Sequence, residues 1–123
     1  MSDGNDYKIR WEVTNPLGER VVLKQSTYEK HIVNDHSPRD ALYRQKIELQ
    51  AQKTIINPQL IIAKEQRHEY HKIVRVPHTD NVDKIKHINV IVDTDRTPNE
   101  VVTFIVSSSL RGTVEAGAII YEN

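Results

Sequence analysis

The feature that most constrains this chain is a change of period at Asn57-Pro58. Before it, Tyr43, Ile47, Ala51 and Ile55 recur every fourth residue, the stripe of a helix with one buried face. After it the helical period disappears and β-branched residues dominate, so a run of strands follows. Helices segregated from strands point to an α+β domain, because a parallel sheet needs helices alternating with its strands.

Punctuation residues set the element boundaries. Tyr7 to Val13 alternates, with Tyr7, Ile9, Trp11 and Val13 on one side, and Asn15-Pro16-Leu17-Gly18 turns the chain into a second strand over 20–24. Ser26 and Glu29 have capping-box spacing and predict a short helix over 27–35. Ser37-Pro38-Arg39-Asp40 opens a second helix, which Asn57-Pro58 ends. Later strands are expected at 60–64, 69–76, 86–93, 101–108 and 118–122, with turns at 77–83, at 93–99 and around Gly112 and Gly117. The expected architecture is an N-terminal hairpin and two helices packed on a mainly antiparallel sheet of four to five strands. Residues 1–6 read as a disordered start and 7–123 as a single domain, a length sufficient to bury a core without staples.

Alternation also sorts the sheet residues by face. Val74 and Val76, then Ile88, Val90 and Val92, then Val102, Phe104 and Val106 form apolar sets that should meet the helices. The opposite sets, His71, Ile73 and Arg75, then His87, Asn89 and Ile91, then Thr103, Ile105 and Ser107, are mixed. Ordinary solvent exposure accounts for such a face about as well as function does. Two imidazoles, a guanidinium and hydroxyls on adjacent strands are also the groups that transfer protons and hold phosphate oxygens.

Several chemistries fit poorly. There is no cysteine, which removes disulfides and thiolate metal sites and is compatible with a cytoplasmic location. His68 and His71 are one residue short of the helical zinc-protease spacing, and an odd separation on a strand sends them to opposite faces, so no metal and no cofactor is expected. Ser107, Ser108 and Ser109 lack the glycine-flanked elbow of an esterase. Apolar runs are too short for a membrane span and the amino terminus lacks a signal-peptide pattern. Seventeen basic and seventeen acidic residues give zero formal charge, hence no global field drawing in nucleic acid. Locally, basic residues crowd between Lys64 and His87.

In the helical half, His31 and Asp35 are four apart and share a helix face, and His36 follows at the helix end, where the dipole favours its charged form. A surface or capping role is the commoner fate of such histidines. Taken in order, Glu29-Lys-His31-Ile-Val-Asn-Asp-His36, Thr54-Ile-Ile-Asn-Pro58, Val101-Val-Thr103-Phe-Ile-Val-Ser-Ser108 and Gly117-Ala-Ile-Ile-Tyr121 resemble the phage-associated branch of the barnase, EndoU, colicin and RelE-like (BECR-fold) nucleases. The resemblance spans 21–121. It implies helices followed by an antiparallel sheet and metal-independent cleavage of RNA through a 2′,3′-cyclic phosphate. It nominates His31, His36 and Thr103 as catalytic, with Arg75 or Lys72 as the basic strand residue. His71, His87, Ser107 and Arg111 complete the expected substrate contacts. The chain departs from the family pattern at Thr103-Phe104-Ile105 and at Ser107 to Arg111. RNA is the expected partner, with a cognate inhibitor or immunity protein as a possible second. The rival reading is a noncatalytic binding or inhibitor protein acting through its mixed sheet face, with a zinc hydrolase a distant third.

Overall fold

In the computed structural model, residues 8–33, 41–76, 84–107 and 118–123 are described. Strands β1 (Ile9–Thr14) and β2 (Arg20–Lys24) form the opening hairpin, followed by a short helix α1 (Gln25–Thr27) that runs on as a π-helical segment, α2 (Tyr28–Val33). The long helix α3 (Ala41–Ile56) leads to β3 (Leu60–Lys64), β4 (Arg67–Val76), β5 (Lys84–Asp93), β6 (Asn99–Ser107) and β7 (Ala118–Glu122). All seven strands join one sheet in the order β1-β2-β6-β5-β4-β3-β7, larger than the four to five strands expected. The excess arises because the opening hairpin docks on the edge of the later sheet: β2 pairs with β6 in parallel, Val21 beside Asn99 and Val22 beside Glu100, while the other pairings are antiparallel.

The Asn15 turn forms for a local reason. The Asn15 side-chain oxygen accepts from the amides of Leu17 and Glu19, and Gly18 takes a φ of +83°, a conformation glycine adopts without steric cost. At the next junction the expected capping box does not form. Lys24 precedes the first helical residue and no side chain caps it, because β2 passes directly into helix and places Ser26 inside α1. The proposed start of the second helix at Ser37 lies outside the described residues, as does the turn at 77–83. Its end is as expected, with the amide of Asn57 bonded to the carbonyl of Lys53 before Pro58.

α3 packs its stripe of Ile47, Ala51 and Ile55 onto the sheet, where these residues share a core with Val21, Leu23, Ile61, Tyr70, Val74, Ile88, Val90, Val92, Val101 and Phe104. The helix-facing side of the sheet is therefore the apolar one, with two corrections. A bulge between Ile91 and Val92 puts Val101 in the core and leaves Val102 half-buried. A second irregularity, between Ile9 and Trp11, leaves Ile9 exposed while Trp11 and Val13 pack on the core. An extra residue reverses the alternation beyond it, so period alone misassigns one side of a bulge.

The same region of β1 ties the hairpin to α3. Glu48, buried on the helix, accepts hydrogen bonds from the guanidinium of Arg10 and from the indole of Trp11 at 2.8 Å. Arg10 also lies over the ring of Tyr28, 3.6 Å from its centroid, so one cation joins β1, α2 and α3. The Glu48 bond holds the Arg10 pKa above its ordinary value. Among the described residues no helix is long and apolar enough to cross a membrane.

Candidate functional site

The face of the sheet opposite α3 carries the mixed residues, and the strand register arranges them in rows across β3, β4, β5 and β6. Lys64, Arg67, Asp93 and Glu100 form the first row; Ile62, Glu69, Ile91 and Thr103 the second; Leu60, His71, Asn89 and Ile105 the third. Ile73, His87 and Ser107 form the fourth, and Arg75 and Ile85 the fifth. The sorting of His71, Arg75, His87 and Thr103 onto one face is as alternation requires.

At the centre of these rows His71 Nδ1 and His87 Nε2 are 2.8 Å apart, and the two rings lie within 3° of parallel. His71 Nε2 meets the Glu69 carboxylate at 3.3 Å, and Lys64 Nζ holds the other oxygen of that carboxylate at 3.1 Å. Both histidines are buried. Burial pushes the His71 pKa down, Glu69 opposing and Lys64 adding to the effect. Burial and the neighbouring His71 push His87 down as well. The pair is thus kept neutral at physiological pH. Beside it Asn89, also buried, has a side-chain oxygen with no partner.

Three isoleucines surround this polar centre and remain exposed: Ile73 at 47%, Ile85 at 59% and Ile105 at 47%. At the far end of the same face, the β3–β4 turn opens a groove of about 700 Å³ lined by Lys64, Gln66, Arg67, Glu69, Ile91 and Asp93. Its two cations are already paired, Lys64 with Glu69 and Arg67 with Asp93.

The nominated residues do not all come together. Arg75 lies opposite Ile85 and Thr103 opposite Ile91, six residues apart along β5, so roughly 20 Å of strand separates them. One phosphate cannot lie between them. Lys72 lies opposite Ile88 and belongs to the helix-facing side, so it is not interchangeable with Arg75. His68, opposite Val92, is on the helix-facing side too, and burial lowers its pKa. His36 and Arg111 lie outside the described residues, and of His31 and Ser107 only the backbone placement is described.

That placement is informative for His31. β2 runs parallel to β6 for two residue pairs, then becomes α1 and α2, and both helical segments pack against β6. The turn bearing His31 is consequently set beside the strand that presents Thr103. Among the described residues no group of three or more His, Cys, Asp or Glu side chains converges as a metal site would require.

Sequence reasoning missed Glu69 as the partner of His71. Their i, i+2 spacing on one strand was the available signal. The diagonal partnership with His87 depends on the β4–β5 register, which the 77–83 connection does not encode. No protein-family model, curated protein or solved structure matches the chain, so the nuclease resemblance rests on the quoted residues.

Proposed function

We propose that the chain is a metal-independent endoribonuclease, with its reacting centre where the His31-bearing helical segment meets β6. The packing of that segment against the strand carrying Thr103 supports this reading, because it puts two positions far apart in sequence on touching elements. One imidazole, from His31 or His36, takes the proton of a ribose 2′-hydroxyl as that oxygen bonds to phosphorus. The other donates a proton to the departing 5′-oxygen as its bond to phosphorus breaks, leaving a 2′,3′-cyclic phosphate. Thr103 contacts the reacting phosphate. Arg75, distant along the same face, holds RNA elsewhere on the strand.

The test is single-turnover cleavage of an RNA oligonucleotide with chelator present and the product ends identified. His31→Ala and His36→Ala should each slow cleavage by about 10²–10⁴-fold, and the matching DNA oligonucleotide should survive. Products with 3′-hydroxyl ends, or dependence on added metal, would overturn the proposal.

A second reading is a noncatalytic binding or inhibitor protein of a phage or mobile element. The exposed Ile73, Ile85 and Ile105, together on the sheet face opposite α3, favour it. Absence of cleavage on every RNA tested, together with complex formation that Ile105→Asp abolishes, would select it.

A further inference from the structure

We propose that His71 and His87 form an acid-sensitive clasp across β4 and β5, closed with one shared proton between the rings and opened when both rings become charged. The inference goes beyond the nuclease reading and does not depend on it. It starts from the donor and acceptor possibilities of each atom. A carboxylate only accepts, so His71 Nε2 carries the hydrogen directed at Glu69. Neutral His71 then offers a lone pair at Nδ1, and the 2.8 Å contact requires the facing hydrogen to sit on His87 Nε2. One tautomer is therefore set for each ring, in a chain running from Glu69 through His71 to His87.

The two protonation steps differ in consequence. A first proton enters at His87 Nδ1, which has no part in the chain, and leaves the bond between the rings intact, with Glu69 as the counter-charge at its far end. A second proton must go to His71 Nδ1. That atom would then carry a hydrogen aimed at the one on His87 Nε2, and two adjacent cations would replace a hydrogen bond.

The surrounding charges bear on this order. On β4 the facing groups are Glu69, which favours protonation, and Arg75, which opposes it; on β3 Lys64 opposes it; on β5 and β6 the adjacent described side chains facing the pair, Ile85, Asn89 and Ile105, carry no charge. Glu69, the one carboxylate facing the pair among the described residues and already shared with Lys64, cannot balance two imidazolium groups. The second proton is accommodated by parting the rings, which exposes this part of the face to water.

Imidazole ¹⁵N NMR of the full chain between pH 8 and 4, with amide hydrogen exchange over β4 and β5, tests the clasp. At neutral pH both rings should show the Nε2–H tautomer, and on acidification His87 should titrate before His71. After correction for intrinsic exchange, opening around His71 and His87 should increase about tenfold for each pH unit per additional proton bound by the open form. His87→Gln keeps a donor toward His71 without a titrating ring, so it should preserve neutral-pH protection and reduce this slope. Independent titration of both rings in the ordinary histidine range, an Nδ1–H tautomer at His71, or exchange indifferent to pH would overturn the proposal. The wild-type NMR outcomes decide it even if the variant folds poorly.

Discussion

Asn15 donates its side-chain amide to the hydroxyl of Tyr70 at 2.7 Å, joining the tip of the first hairpin to the middle of β4. Both residues are buried, and the remaining amide hydrogen goes to Glu19 at 3.0 Å. Burial, only partly offset by the Asn15 bond, pushes the Tyr70 pKa to about 12, so the phenol stays neutral and its oxygen is free to accept.

Tyr70→Phe should therefore cost about 1–3 kcal/mol, the range for leaving a buried donor unpaired. Asn15→Ala should cost more, because it also removes the acceptor that shapes the turn. Urea denaturation of the two single variants and the double variant measures the coupling. Strict additivity would show that the contact contributes nothing to stability.

Phe104→Ala tests the face assignment. Phe104 is 4% exposed against the helix while its neighbour Ile105 is 47% exposed on the other side. The alanine variant should lose about 3–5 kcal/mol through cavity formation, whereas Ile105→Thr should stay within about 0.5 kcal/mol. Equal losses would mean that the two faces are packed alike.

The parts of this fold legible in sequence were those written in local periodicity. Ile47, Ala51 and Ile55 announced the buried helix stripe, and Val74, Val90 and Phe104 the apolar side of the sheet. What escaped was non-local. Nothing in residues 20–24 states that they pair in parallel with β6, and the extra residue near Val102 is indistinguishable from its neighbours until the partner strand is known. The candidate site divides in the same way. Alternation placed His71 and His87 on one face, whereas their contact, and the distance between Arg75 and Thr103, depend on register.

Acidification should destabilise the protein. His68, His71 and His87 all have pKa values lowered in the fold, burial being the largest cause in each. The unfolded chain, with histidines near 6.5, binds more protons than the fold in the interval below that value. Stability is thus fully present above about pH 6.5 and falls as pH drops from there toward the folded values. Urea midpoints at pH 7.5 and 5.5 should show the decrease. His68→Gln should remove a share of it while leaving the pair across β4 and β5 untouched, and a midpoint that rises on acidification would contradict the assigned direction.

Arg75 and Thr103 should act independently on RNA. Their separation of roughly 20 Å along the sheet leaves no shared phosphate, and sites this far apart without a common partner combine additively to within about 0.5 kcal/mol. Arg75→Lys keeps the charge but loses the planar fork, so it should weaken RNA binding with little effect on the rate at saturating enzyme. Thr103→Val should lower that rate with little effect on binding, if Thr103 contacts the reacting phosphate as proposed. Single-turnover rates and dissociation constants for both variants and their combination complete the cycle. A coupling well above 0.5 kcal/mol would require one phosphate to touch both residues, and the strand register forbids that in this fold.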